Sequence, residues 1–125
     1  MFSVNNCNLI VDEPNGGHAI ERHVGKSDDY LTGRGIPKAS TFPDLANAQY
    51  AATYNIVLNE ERIQKWLQGP ARRLTIGSEL PDGISARVYL KEEGKFVEAT
   101  GVRTVIERRS DLPGGFLIYT NYATP

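Results

Sequence analysis

The chain is organised around residues 16–27, which read Gly16-Gly17-His18-Ala19-Ile20-Glu21-Arg22-His23-Val24-Gly25-Lys26-Ser27. This stretch contains both histidines of the protein, and Arg22, Lys26 and the following Arg34 surround them with positive charge. Histidine titrates near physiological pH and can move a proton in either direction, while neighbouring cations can hold an anion beside it. The stretch therefore predicts a site for acid–base chemistry on an anionic substrate.

The spacing of the two histidines limits what they can do together. In a helix over residues 17–24, His18 and His23 would lie about 140° apart around the axis, so at most one of them is catalytic. A structural role for both is the competing interpretation. A metal site is not predicted, because two histidines and one cysteine without HExxH or CxxC spacing do not form a known ligand pattern.

Composition excludes several classes of protein. A chain of 125 residues with 40% hydrophobic and 23% charged residues is typical of one globular domain with its own core. The net charge of −1 gives no overall cationic field, so any binding to nucleic acid depends on a local patch. The single cysteine, Cys7, excludes an internal disulfide and favours a reducing compartment. No apolar run is long enough to span a membrane, and no signal peptide is visible.

The first half of the chain predicts helices. Leu9-Ile10-Val11 reads as an edge strand or a packed arm, and we expect residues 1–14 to form an arm before a domain at 15–125. Helices are predicted over residues 17–24, from the Ser27 cap to Gly33, from Pro43-Asp44 to about Leu58, and over 60–68 with Asn59 as cap. Ala39–Phe42 reads as extended, and Trp66 as a core residue.

The second half predicts strands. Five short β-prone runs are separated by Pro- and Gly-rich turns, namely Leu74–Gly77, Ile84–Leu90, Phe96–Val97, Val102–Arg108 and Phe116–Tyr122. The last two should pair as an antiparallel hairpin through the Pro-Gly-Gly loop. The change from helical to strand periodicity near Gly69-Pro70 predicts an α+β domain, with helices in 15–69 and a twisted antiparallel sheet in 72–123.

The final strand carries a pair of hydroxyl groups. Side chains alternate along a strand, so Thr120 and Tyr122 should share one face, with Tyr119 and Asn121 on the other. They are either polar surface or part of a site that begins with His23 and Arg34. These groups supply the residue types needed for attack of a 2′-OH on a neighbouring phosphodiester without a metal ion.

Four segments together resemble the RNase A-like toxin domain found at the C-termini of bacterial contact-dependent growth inhibition proteins and other polymorphic toxins. They are residues 16–27, Ala39-Ser40-Thr41-Phe42, Ile63…Trp66-Leu67 and Thr120-Asn121-Tyr122, and the similarity spans about residues 15–123. Two positions depart from the pattern. Asn121 replaces an alanine, and Gly35 follows the downstream arginine where many relatives have leucine, which could loosen that loop.

The resemblance implies an RNase A-like fold without disulfides, in which N-terminal helices pack on the sheet. It also implies a metal-independent ribonuclease that uses no cofactor, gives 2′,3′-cyclic phosphate products and does not cleave DNA. The implied catalytic residues are His23, Arg34, Thr120 and Tyr122, and we expect the substrate contacts from His18, Arg22, Lys26 and Lys38.

The resemblance further implies a cognate immunity protein as partner of an otherwise monomeric chain. Such a domain is delivered from the cell surface as the C-terminal part of a larger effector and acts in the cytoplasm of the target cell. The alternative is an inactive relative or a binding module whose histidines are structural. An ADP-ribosyl or phosphotransfer toxin is disfavoured, because the chain has no glycine-rich phosphate loop and no nicotinamide-type signature.

Overall fold

The computed structural model describes residues 8–112 and 114–125, so the predicted free thiol of Cys7 and the position of Pro113 lie outside the described residues. The described chain confirms the α+β prediction. Its helices are α1 (Leu9–Asp12), α2 (Ala19–His23), α3 (Asp28–Gly33), α4 (Leu45–Leu58) and α5 (Glu60–Gln68), with a 3-10 turn at Glu13–Asn15. Its strands are β1 (Lys38–Thr41), β2 (Arg73–Glu79), β3 (Arg87–Leu90), β4 (Lys95–Glu98), β5 (Gly101–Arg108) and β6 (Phe116–Thr124).

The strands form two antiparallel sheets rather than the one sheet predicted. One sheet has the order β1-β3-β4 and the other has the order β2-β5-β6. The predicted hairpin of the last two strands is present. The first strand, β1, belongs to the helical half of the sequence, and it pairs with β3 about fifty positions later, as in Ala39 opposite Tyr89. Local periodicity cannot reveal such a distant pairing.

Local capping explains where most helices begin. The Asp44 carboxylate accepts the backbone N–H of Asn47 at 2.8 Å and starts α4, and Ser27 likewise accepts the N–H of Tyr30 to start α3. Asn59 was predicted to cap α5 with its side chain. Its side-chain amide instead donates hydrogen bonds to the carbonyl and the side-chain oxygen of Asn55, one turn earlier.

The first element differs from the edge strand that was one of the two alternatives predicted for residues 9–11. The Asn8 side chain accepts the N–H of Ile10 and caps α1, which is a single helical turn. Leu9 is fully buried in the core, whereas Ile10 and Val11 are exposed. The three-residue apolar run was therefore too short to distinguish a helical turn from a strand.

The main core lies between α4 and the β2-β5-β6 sheet. The predicted stripe of α4 is buried at Ala48, Ala52 and Ile56, in the same cluster as Ile76 of β2 and Ile106 of β5. Trp66 is a core residue as predicted, and its ring packs edge-on against Phe116 at a centroid distance of 6.2 Å. This core fixes β6, which carries the predicted Thr and Tyr pair, in a rigid sheet.

A buried polar network joins α4 to the same sheet. The Asn55 amide donates to the Ile76 carbonyl at 3.1 Å and to the Thr104 hydroxyl at 2.8 Å. The Thr104 hydroxyl donates to the Asn121 side-chain oxygen at 2.7 Å, and the Asn121 amide donates to the Ala48 carbonyl. Each of these three side chains is at most 1% exposed, so the network fixes helix and sheet in one relative position.

We expect Asn55→Ala to lower the free energy of unfolding by about 2–4 kcal/mol, because it removes the three side-chain hydrogen bonds to Ile76, Thr104 and Asn59 and leaves buried groups without partners. Chemical denaturation followed by circular dichroism measures the change. Tyr50→Ala on the exposed side of α4 is the matched control, and it should change stability by no more than about 0.5 kcal/mol. Equal stability of the two variants would contradict a structural role for the network.

Candidate active site

A β-bulge in β6 decides which way the predicted Thr and Tyr side chains point. Val105 of β5 pairs with Thr120, but its neighbour Ile106 pairs with Ile118, so Tyr119 is an extra residue in β6. Before the bulge Ile118 lies in the core, and after it Asn121 and Ala123 are the buried residues. Without the bulge, strict alternation would place Thr120 on the same face as Ile118. The bulge therefore turns Thr120 and Tyr122 away from the core.

The segment before α2 holds this bulge in place. The buried Asp12 carboxylate accepts the N–H of Ile118 at 2.8 Å, and the N–H of His18 donates to the Tyr119 carbonyl at 2.7 Å. Burial raises the pKa of Asp12 to about 6 despite that hydrogen bond. Gly17 lies so close that a Cβ there would be 2.7 Å from the Ile118 carbonyl oxygen. The glycine at this position therefore permits the close approach of α2 to the bulge.

The predicted catalytic residues converge on one cleft of about 540 Å³. It lies between the N-terminal helices on one side and strands β1 and β6 on the other. His23 and Arg34 line it from the helical side, and Thr120 and Tyr122 line it from β6. The remaining lining includes Arg22, Ser40, Lys38 and the loop at residues 36–37. Six of the eight predicted site residues thus lie together.

His23 is held where α2 meets β1. It is the last residue of α2, and its carbonyl accepts the N–H of Phe42 at 2.8 Å, so the chain is tied to the end of β1. Its ring Nδ1 lies 3.4 Å from the Ser40 carbonyl oxygen. A carbonyl can only accept, so this contact requires the proton on Nδ1 and leaves Nε2 as the basic nitrogen. The ring also lies 5.5 Å from the Tyr122 ring, between centroids.

Burial and surrounding charge keep His23 neutral. The residue is only 8% exposed, and this desolvation, together with the charges of Arg34, Arg22 and Lys26, lowers its pKa to about 4 even though the hydrogen bond to Ser40 acts in the opposite direction. At neutral pH the ring is therefore unprotonated. It is available as a proton acceptor, and its pKa will rise when an anion occupies the cleft beside it.

The cleft also contains cations that have no carboxylate beside them. Arg22 and Arg34 are half-buried, and within the described chain no Asp or Glu oxygen lies within 4 Å of either guanidinium group. Arg34 follows α3, and Gly35 after it turns back with φ of 70°, a left-handed conformation that favours glycine. The glycine that departs from the family pattern thus shapes the loop that presents Arg34.

The Thr120 hydroxyl is buried at the cleft without a hydrogen-bond partner among the described residues. A buried polar group left unpaired costs about 1–3 kcal/mol. A ligand that offers an oxygen or nitrogen at this wall of the cleft would recover that cost. The unpaired hydroxyl therefore points to Thr120 as a contact for bound substrate.

Two predicted substrate-binding residues do not line the cleft. His18 precedes α2 and its Nδ1 lies 3.3 Å from a Glu21 carboxylate oxygen, while its ring packs edge-on against Tyr119. The Lys26 ammonium lies over the Tyr30 ring at 4.9 Å from the centroid. The positive charge of Lys26 nevertheless helps to lower the pKa of His23.

Sequence reasoning missed the role of Ser40. Its backbone carbonyl fixes the tautomer of His23, and because any residue type has such a carbonyl, the sequence gives no sign of this role.

Within residues 8–112 and 114–125, no helix combines the length and apolar character required to cross a membrane. The same residues include no cluster of three or more His, Cys, Asp or Glu side chains able to hold a metal ion.

Comparisons of the sequence and of the fold with known proteins both identify relatives of this chain. The family model described as the bacterial CdiA-CT RNAse A domain matches residues 17–123. The fold resembles the crystal structure of a CdiA-CT/CdiI complex from Y. kristensenii 33638, with 30% sequence identity, a TM-score of 0.79, and coverage of 87% of this chain and all of that one. No curated protein matches the chain. The chain belongs to the bacterial CdiA-CT RNAse A domain family.

Proposed function

We propose that this domain is a metal-independent endoribonuclease that cleaves RNA by attack of the ribose 2′-OH on the adjacent phosphodiester. One observation carries the proposal: His23, Arg34, Thr120 and Tyr122, which come from both ends of the sequence, line a single cleft. A neutral buried histidine, an unpaired guanidinium and an unpaired hydroxyl in one cleft match the needs of this reaction.

In the proposed reaction, Nε2 of His23 accepts the proton of the 2′-OH. The 2′-oxygen forms a bond to phosphorus, the bond from phosphorus to the 5′-oxygen breaks, and the departing 5′-oxygen takes a proton from water. The products are a 2′,3′-cyclic phosphate and a free 5′-hydroxyl. The ring of His23 is unprotonated at neutral pH, as a general base must be, and the charge of a bound phosphate raises its pKa towards the range in which a base is most effective.

The other residues act on the charge of the phosphate. Arg34 donates to two nonbridging oxygens, a geometry that its planar fork matches better than a lysine would. Tyr122, whose ring lies beside that of His23, orients the same phosphate. The buried hydroxyl of Thr120 donates a hydrogen bond to the phosphate or to a base edge. The positive charges of Arg22 and Lys38 attract the RNA backbone into the cleft.

Membership of the family supports a proposal for the biological setting. We propose that the domain is the C-terminal part of a larger effector delivered from the cell surface, that it acts in the cytoplasm of the target cell, and that a cognate immunity protein neutralises it. The CdiA-CT chain of the similar structure is in complex with CdiI. A cleft rimmed by Arg22, Arg34 and Lys38 favours a partner with an acidic surface.

Incubation of the purified domain with total RNA tests the proposed activity. We expect cleavage to persist in excess EDTA, to leave 2′,3′-cyclic phosphate ends, and to spare DNA, which has no 2′-OH. A matched substrate with 2′-O-methyl groups has no free nucleophile and should resist cleavage. Loss of cleavage in EDTA would contradict the metal-independent mechanism. Absence of cleavage in every buffer would favour a binding module instead.

A further inference from the structure

A second concavity adjoins the active-site cleft at the end of β6. It has a volume of about 380 Å³ and shares Lys38 and Tyr122 with the cleft. Arg103 of β5, which lies directly opposite Tyr122 in the sheet register, is its second cation, and residues 123–125 complete its lining. A strand of RNA that passes Tyr122 as it leaves the cleft would lie over this concavity.

The cations of the two concavities differ from most others in the protein. In the part of the chain that the structure describes, most Lys and Arg side chains make an ion pair, a hydrogen bond or a ring contact. The six side chains with none of these contacts are Arg22, Arg34, Lys38, Arg62, Lys65 and Arg103. Four of the six line the two adjoining concavities, although the protein as a whole carries a net charge of −1.

The chemistry of the second concavity fits a phosphate rather than a base. Its polar side chains are Arg103, Lys38, the Tyr122 phenol and the Thr124 hydroxyl, and it has no carboxylate or amide side chain in its lining. Base edges are read by matched sets of donors and acceptors, whereas phosphate oxygens need donors and positive charge. An exposed Arg beside a Lys supplies both, because the guanidinium can donate two parallel hydrogen bonds to one phosphate.

We propose that Arg103 and Lys38 form a second anion subsite, which binds the phosphate of the nucleotide next to the scissile phosphodiester. The inference rests on the proposed ribonuclease function and extends it to a substrate class. The preferred substrate is an RNA strand with at least two consecutive phosphates, held by its backbone without regard to the base at that position. The subsite acts on substrate binding, and the chemical step stays with the residues of the cleft.

Binding of uncleavable probes tests the subsite directly. The probes are the deoxydinucleotide d(TpT) and its two phosphorylated forms, d(pTpT) and d(TpTp), titrated into the domain by calorimetry or NMR. We expect one phosphorylated form to bind wild-type protein about five- to tenfold more tightly than d(TpT), between the usual effects of an exposed ion pair and of a hydrogen bond to a charged group. Arg103→Ala should abolish this advantage, and Arg103→Lys should retain part of it.

Arg62→Ala on α5 is the matched control, because Arg62 is also exposed and without a partner but lines neither concavity. It should leave the advantage of the phosphorylated probe intact. Equal binding of all three probes to wild-type protein would overturn the proposal. So would an advantage that persists in Arg103→Ala.

Kinetics separate this inference from the proposed function. We expect Arg103→Ala to raise KM about five- to tenfold for a longer oligoribonucleotide with kcat unchanged, and to leave cleavage of a dinucleotide unaffected. It should also reduce the slope of log(kcat/KM) against log salt by about 0.7, the value for one phosphate contact on a single strand. A protein that binds the probes as expected but cleaves no RNA would refute the ribonuclease function and leave the anion subsite standing.

Discussion

His23→Ala will lower RNA cleavage by about 10²–10⁴-fold, the usual effect of removing a general base. The loss should fall on kcat more than on KM, because the ring acts on the 2′-OH proton and the cations hold the phosphate. The measurement is the initial rate on a fluorogenic ribonucleotide substrate at neutral pH. Since His23 is buried, thermal unfolding of the variant must be measured beside the wild type, so that a folding defect is not mistaken for lost catalysis.

His18→Ala is the matched histidine variant, because His18 lies at the other end of α2 and outside the cleft. It should lose far less activity than His23→Ala. Near-wild-type cleavage by His23→Ala together with collapse in His18→Ala would reverse the assignment of the base. Equal and full activity in both variants would exclude histidine as the proton acceptor.

Arg34→Ala will lower kcat/KM by about 10²–10³-fold, as expected for one donor to the charge that develops on the phosphate.

The same variant tests whether the charge of Arg34 lowers the pKa of His23. His23 works as base only when neutral, so kcat/KM of the free enzyme should fall as pH drops through the pKa of His23, near 4. Arg34 is one of the charges that lower this pKa, so its removal should move the acid limb to higher pH.

Arg34→Lys separates charge from geometry. It keeps the positive charge, so the acid limb should stay near that of the wild type, but it loses the two-pronged contact with the phosphate and should recover only part of the rate. An acid limb that lies at the same pH in wild type and Arg34→Ala would mean that another group than His23 limits the rate. A fully active Arg34→Lys would contradict bidentate binding of the phosphate.

Much of the secondary structure could be predicted from the sequence, because its signals are local. Ser27 and Asp44 cap the helices that they were expected to cap, and apolar residues at helical spacing place α4 against the core. The errors have different causes. The role of β1 in a second sheet depends on a partner about fifty positions later, which local pattern does not specify. Asn59 has two local uses for its side chain, and it bonds back to Asn55 rather than capping α5.

The resemblance to a toxin family named His23, Arg34, Thr120 and Tyr122, but strand alternation alone could not place them in one cleft. Without the bulge at Tyr119, Thr120 would lie on the core face of β6, beside Ile118. The bulge depends on Asp12 and on the close approach of Gly17, more than 100 residues earlier in the chain.

The amino-acid sequence by itself determined the fold class, the approximate bounds of α2 to α5 and the residue types of the site, because periodicity, caps and turn residues act over a few positions. Only the tertiary structure decided the rest. It lowered the pKa of His23 by burial, left the Thr120 hydroxyl without a partner and brought Arg103 beside Tyr122. Each of these properties depends on which residues surround a side chain in the folded protein, and folding brings those neighbours from distant parts of the chain.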